Sequence, residues 1–106
     1  MKRWTTQTDT ITCSMDLTGA ETVIVTYRQK GEEVFALRQD SSELNISKNV
    51  ITIQKNQEFS SHFAVGPYDF DICAVFPDGS RWNSNRMRDV IESVNYDQEV
   101  KENGTV

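Results

Sequence analysis

The sequence has few of the residues from which metal centres and catalytic triads are built. Among 106 residues there is one histidine, His62, and there are two cysteines, Cys13 and Cys73. A single imidazole excludes sites that need several histidines, and two cysteines sixty residues apart lack the short spacing of a zinc site. No serine lies in a Gly-x-Ser-x-Gly pattern. We therefore expect no catalytic residue, no metal and no cofactor, and we interpret His62 as an ordinary loop residue.

The sequence also lacks a long apolar run. Its first residues turn polar where a secretory signal needs an apolar stretch of about seven, and no segment approaches the roughly 20 residues of a membrane span. We expect the protein to stay in the compartment where it is made and not to enter a membrane. Thiols in such a protein are usually free, and we expect this of Cys13 and Cys73.

Positive charge is scarce relative to negative charge. Eleven lysines and arginines stand against sixteen aspartates and glutamates, so the net charge is −5. Such a chain repels the phosphate backbone, which argues against nucleic acid as a partner. The length allows one domain, which buries roughly 65% of the surface that the unfolded chain exposes.

The clearest pattern in the chain is a long alternation of apolar and polar residues. From Tyr68 to Phe76 every second side chain is apolar, and the turn sequence Pro77-Asp78-Gly79 follows. Side chains of a strand point to opposite faces at successive positions, so this pattern predicts a half-buried antiparallel strand that ends in a tight turn. Cys73 falls on the face opposite the aromatic residues.

Further strands are predicted at intervals of roughly ten residues. They cover residues 8–15, with Ile11, Cys13 and Met15 inward, and residues 21–29, 34–38, 44–46 and 50–54. Residues 55–65 read as a short helix or compact loop in which Phe59 and Phe63 cap the core. Residues 80–94 are predicted as the returning strand, with a bulge near residues 86–89 because no single parity stays apolar.

This pattern predicts an all-β fold. Short strands separated by turns, without helices for crossovers, are typical of an antiparallel Ig-like β-sandwich of about seven strands. A small Greek-key barrel is the alternative. We expect one such domain over residues 1–96 and a flexible acidic C-terminal tail over residues 97–106.

Two groups of side chains merit consideration as binding sites. Asp69 and Asp71 share one strand face, but no neighbouring loop supplies the further oxygens that calcium needs, so a solvated face explains them. Trp82 with Arg86 and Arg88 is the stronger candidate, because tryptophan and arginine are enriched at the energetic centres of protein interfaces. The alternative interpretation of Trp82, that it covers the end of the sandwich, is the one favoured for a tryptophan next to a hairpin turn.

The order of features resembles the Ig-like N-terminal domain of siphophage baseplate upper proteins and related small proteins of phages and prophages of Gram-positive bacteria. The resemblance spans about Thr5 to Val94. Its matching stretches are Thr5-Thr6-Gln7-Thr8, Leu17-Thr18-Gly19-Ala20 with Val23 to Gln29, Val50-Ile51-Thr52-Ile53, Gln57-Glu58-Phe59, Tyr68-Asp69-Phe70-Asp71-Ile72, Phe76-Pro77-Asp78-Gly79 and Ser84-Asn85.

The resemblance implies a non-enzymatic virion protein, made in the cytoplasm of the bacterial host and incorporated into the phage particle. Baseplate upper proteins continue into helical and receptor-directed parts, whereas this chain stops at Val106, which favours an adaptor or accessory module of the tail or baseplate. Its expected partners are other virion or tail proteins, with self-association as a further possibility. A carbohydrate-binding or host-surface adhesion module is the alternative function.

Overall fold

The fold is built from eight strands and one short 3₁₀ helix within residues 1–100, the part of the chain that the computed structural model describes. The strands are β1 (Gln7–Thr12), β2 (Thr22–Gln29), β3 (Glu32–Arg38), β4 (Leu44–Ser47), β5 (Val50–Lys55), β6 (Gly66–Val75), β7 (Arg81–Asn83) and β8 (Met87–Ile91). The 3₁₀ helix covers Phe59–His62 and links β5 to β6.

The strands form two antiparallel sheets that pack face to face. The three-stranded sheet has the order β1-β5-β4, and the five-stranded sheet has the order β3-β2-β6, with both β7 and β8 paired to β6. Because β1 and β2 are consecutive but lie in different sheets, the chain crosses between the layers as in immunoglobulin domains. The protein is an Ig-like β-sandwich, which confirms the predicted fold class.

The predicted strand pattern is largely confirmed, with two corrections. β1 ends at Thr12, and Met15, predicted to point inward, is 38% exposed because it lies in the link that carries the chain to the second sheet. The returning segment is not one bulged strand. Residues 84–86 leave the ladder and divide it into β7 and β8, although both halves pair with β6.

The alternation along β2 and β6 builds the centre of the core. Tyr68, Phe70, Ile72 and Ala74 are buried on β6, as predicted. Tyr27 on β2 is fully buried, and its ring centroid lies 4.9 Å from that of Phe35 and 5.2 Å from that of Phe70. The predicted caps also hold, since the ring centroids of Phe59 and Phe63 lie 5.1 and 6.0 Å from that of Tyr27.

Both cysteines are free thiols, as predicted. Cys13 is buried just after β1, and burial raises the pKa of its thiol. Cys73 lies opposite Ile24 of β2, on the outer face of the five-stranded sheet. In disulfide-bridged immunoglobulin domains a cysteine stands two residues after the tyrosine that begins the equivalent of β6. Here Phe70 occupies that place, and its ring stacks on Tyr27 and Tyr68 of the same sheet.

The first residues and residues 97–100 are bound to the sandwich. Lys2 forms a parallel bridge with Glu92, next to the end of β8. The indole Nε1 of Trp4 donates to Asp97 over 2.8 Å. The amide side chain of Gln57 pairs with both backbone groups of Val100, at 2.9 and 3.0 Å. The remainder of the predicted tail, residues 101–106, lies outside the described residues.

Candidate binding surfaces

Trp82 lies at one end of the sandwich and faces its interior. It pairs with Ala74, a fully buried residue of β6, and cross-strand partners point to the same face of a sheet. Its half-buried side chain packs against the core. Trp82 therefore closes the end of the core and leaves part of its surface accessible beside the Pro77-Asp78-Gly79 turn.

The two arginines predicted to accompany Trp82 lie elsewhere on the strand path. Arg86 is exposed in the interruption between β7 and β8. Arg88 pairs with Asp69, so it projects from the outer face of the five-stranded sheet, opposite to the face of Trp82. Arg88 lines a pocket of about 250 Å³ together with Arg28 and Lys30. Trp82 and Arg88 thus belong to different surfaces.

An apolar depression lies at the end of the sandwich where Trp82 is found. It has a volume of about 450 Å³ and is lined by Met15 from the link between the sheets and by Phe76, Pro77, Asp78 and Ser80 from the turn after β6. Met15 is exposed, whereas Phe76 packs partly against the core. This end consequently offers apolar atoms to a partner.

The turn that forms this depression is held by its own hydrogen bonds. The backbone N–H of Phe76 donates to the carbonyl of Ser80 over 2.9 Å, and Gly79 adopts φ +87°, a region that glycine enters without strain. The backbone N–H and hydroxyl of Ser80 donate to Asp78 at 2.9 and 2.6 Å, and these bonds lower the pKa of the Asp78 carboxyl. The turn is therefore shaped before any partner arrives.

The aspartate pair and the histidine lie where the sequence interpretation placed them. Asp69 and Asp71 are half-buried on the outer face of β6, and Asp69 stands between Arg28 of β2 and Arg88 of β8 in the cross-strand register. His62 is exposed in the 3₁₀ helix, where its ring lies 4.4 Å from that of Phe35. Residues 1–100 contain no cluster of three or more His, Cys, Asp or Glu side chains that could hold a metal.

A buried ion pair that joins β5 to β1, on the inward face of the three-stranded sheet, was not predicted. The side chain of Lys55, at the end of β5, is fully buried, and its Nζ forms an ion pair with Asp9 of β1. The same Nζ lies 4.6 Å from the centre of the Phe59 ring and 3.3 Å from the hydroxyl of Tyr68. A carboxylate and aromatic faces together stabilise an ammonium group that burial alone would disfavour.

The polar contacts continue from Tyr68 to the chain terminus. The Tyr68 hydroxyl donates to Asp89 over 3.4 Å, and the N-terminal amino group contacts the same carboxylate at 3.4 Å. Burial and the nearby carboxylates raise the pKa of Tyr68. Burial also raises the pKa of Asp89, but the Val90 N–H and the amino terminus outweigh it and hold this pKa below its usual value. The network joins β1, β5, β6 and β8, so its evident role is to fix the two sheets to each other.

A sequence signal for this network exists. Lys55 lies two residues after Ile53 and therefore on the same inward face of β5 as Ile51 and Ile53. Asp9 lies two residues before Ile11 and shares its inward face on β1. The alternation along each strand thus places two opposite charges at inward positions. In the structure β1 and β5 pair directly. The strand was predicted to stop at Gln54, one residue before Lys55, so this signal was missed.

Comparison with known proteins adds little to the fold. No protein-family model and no curated protein matches this chain. Among solved structures, the chain is similar to the V domain of IgVJ-C2 from amphioxus, with 14% identity, a TM-score of 0.36, and coverage of 85% of this chain and 95% of that domain. No helix within residues 1–100 is long and apolar enough to cross a membrane.

Proposed function

We propose that this chain is a non-enzymatic structural protein of a phage or prophage virion, where it serves as an adaptor or accessory module of the tail or baseplate. The observation that carries the binding role is the preformed apolar end of the sandwich, where Met15 and Phe76 line an open depression beside Trp82. A rigid apolar site loses little conformational freedom on binding, which suits a protein partner. The assignment to a virion comes from the sequence resemblance.

The two tryptophans give less support to a carbohydrate-binding module. Such a module needs an aromatic side chain that lies flat and open to solvent as a platform for a sugar ring. Trp82 packs against the core, and the indole of Trp4 is tied to Asp97. Apolar contact with a protein therefore fits this end of the molecule better.

The test is incorporation into particles. Particles purified from the host that carries the gene should contain the parent protein, detected by mass spectrometry. The amount of the Met15→Glu variant in such particles should be at least ten-fold lower. The double variant Trp82→Ala with Arg86→Glu should behave in the same way while circular dichroism still reports a folded β-protein. Met15→Glu places a carboxylate in the apolar depression, and Trp82→Ala removes apolar surface at the same end of the sandwich.

Val65→Glu is the matched control. Val65 is 51% exposed and precedes β6, whereas Phe76 follows β6, so the same apolar-to-acidic change falls at the opposite end of that strand. We expect Val65→Glu to be incorporated like the parent. Absence of the parent protein from purified particles would refute the virion role, and normal incorporation of Met15→Glu would refute the proposed contact surface.

A further inference from the structure

The outer edge of β1 is a regular strand edge to which no strand within residues 1–100 is paired. β1 pairs with β5 over six consecutive residues without a register shift, and it ends the order β1-β5-β4. In immunoglobulin domains the corresponding sheet carries one more strand at this side. Here the first residues lie beside the end of β8 in the other sheet instead, as the bridge between Lys2 and Glu92 shows.

The backbone groups at this edge can be assigned from the ladder. Cys13 donates its N–H to the carbonyl of Asn49 over 2.7 Å, which makes 13 and 49 a hydrogen-bonded pair. Such pairs alternate in an antiparallel ladder, so Ile11, Asp9 and Gln7 also bond to β5. The N–H and C=O groups of the intervening threonines, Thr8, Thr10 and Thr12, therefore point to the free edge.

The side chains beside this edge carry no charge. The outer face of the three-stranded sheet bears Thr8, Thr10, Thr12, Asn45, Ser47, Val50, Thr52 and Gln54. The chain as a whole has a net charge of −5, so two copies repel each other over most contacts. Charged residues are also depleted at the centres of protein interfaces. A second copy therefore meets little charge repulsion along the β1 side of this face.

Each of the other strand edges within residues 1–100 is short, irregular or covered. β4 and β7 have four and three residues. β3 carries a register shift at Val34 and exposed glutamates at Glu32 and Glu33, both of which hinder edge pairing. At the end of β8, the N–H of Glu92 donates to the carbonyl of Met1 over 2.8 Å. β1 has none of these protections.

We propose that β1 pairs with β1 of a second copy, antiparallel, about a two-fold axis through Thr10. In this register Thr10 meets Thr10, Thr8 meets Thr12 and Thr12 meets Thr8, and these are the residues whose backbone groups are free. Each pair exchanges two N–H···O bonds, and cross-strand Thr–Thr pairs are favourable. The two three-stranded sheets then become one continuous sheet.

This edge lies in the other sheet from Trp82, so the inference goes beyond the adaptor proposal and does not depend on it. It is tested by sedimentation velocity over a range of concentrations. The parent should form dimers below about 1 mM, and Thr10→Lys, which brings two ammonium groups together at the axis, should raise the dissociation constant at least ten-fold. Thr10→Pro removes the central N–H donor and should also raise the dissociation constant. The fold should accept this substitution, because proline is tolerated at edge positions of a sheet.

The matched control is Ala36→Lys, which introduces a lysine at an exposed position of the other edge strand, β3. This variant should leave the dimer intact. Hydrogen exchange provides a second measurement, because the amides of Thr8, Thr10 and Thr12 should become protected as the concentration of the parent rises. A parent that stays monomeric to about 1 mM overturns the proposal. So does a dimer that persists in both Thr10 variants, or one in which these amides exchange as fast as in the monomer.

Discussion

At the scale of single residues, two buried tyrosines differ in how their hydroxyl groups are satisfied. Tyr27 is fully buried, and its hydroxyl has no hydrogen-bond partner among the described residues. The Tyr68 hydroxyl contacts both Lys55 and Asp89. An unsatisfied buried polar group costs free energy, whereas a bonded one contributes to stability. The two residues therefore form an internal comparison.

We expect Tyr27→Phe to increase the free energy of unfolding by about 1 kcal/mol, because it removes an unpaired hydroxyl and keeps the aromatic packing. Tyr68→Phe should instead lower it by about 1–2 kcal/mol, because it removes two contacts with charged groups. Urea titration of both variants provides the measurement. If Tyr27→Phe costs as much as Tyr68→Phe, a bound water or another group satisfies the Tyr27 hydroxyl.

Glutamine side chains also contribute at this scale. The amide group of Gln29 both donates to the carbonyl and accepts from the N–H of Ala64, at 2.8 Å each. Gln39 accepts from the N–H of Val23 and donates to the carbonyl of Glu21, at 2.8 and 2.7 Å. A carboxamide has the donor and acceptor of a peptide group, so each one substitutes for a missing strand residue. Hydropathy patterns contain no sign of this.

At the scale of elements, β6 determines much of the fold. It pairs with β2 on one side and with β7 and β8 on the other, and its inward residues form the centre of the core. Phe70→Ala should destabilise the protein by about 3–5 kcal/mol and Ile72→Ala by about 2–5 kcal/mol, because both leave cavities between the sheets. Asp71→Ala should cost far less, since Asp71 lies on the outer face. Denaturant titration gives the ranking.

A ranking in which Asp71→Ala is the most damaging of the three would contradict this assignment of faces. The unfolding slope with denaturant should remain the same in all three variants, because each keeps the fold and the surface exposed on unfolding. A changed slope would show that a variant alters the denatured or native ensemble and would remove that variant from the comparison.

The elements differ in how far the sequence predicts them. β6 follows from strict alternation and β2 from its run of β-branched residues. Because one face of each is buried, the register has no freedom to slip. The division of β7 from β8 does not, because it depends on a side chain that replaces a backbone group. The N–H of Ser84 still donates to the carbonyl of Ile72, but the N–H of Ile72 donates to the Ser84 hydroxyl over 2.8 Å, and regular pairing stops there. The buried ion pair could not be predicted either, because it requires β1 and β5 to pair and these strands are far apart in the sequence.

The candidate surfaces were predictable to a smaller extent. Trp82 and Arg88 are near neighbours in sequence, but they lie on strands separated by residues 84–86. Their pairing with β6 places them on opposite faces of one sheet. Met15 and Phe76 are sixty-one residues apart, and only the crossing between sheets brings them to one depression. Strand pairing, rather than local pattern, decides which side chains can act together.

At the scale of the whole molecule, the two proposed surfaces lie in different sheets. The free edge of β1 belongs to the three-stranded sheet, and Trp82 belongs to the five-stranded sheet. Pairing of two copies through β1 would leave both apolar ends accessible, and a two-fold axis would relate them. Such a dimer can link two copies of a partner, which would suit the proposed adaptor role.

If the proposed tail or baseplate partner is identified, we expect its complex with this chain to contain two copies of each, measured as a mass by light scattering after gel filtration. Thr10→Lys should reduce the complex to one copy of each while leaving the contact with the partner intact, because that substitution lies on the other sheet. Ala36→Lys should keep two copies of each. If the Thr10→Lys complex retains two copies of each, the partner rather than the β1 edge supplies the two-fold symmetry.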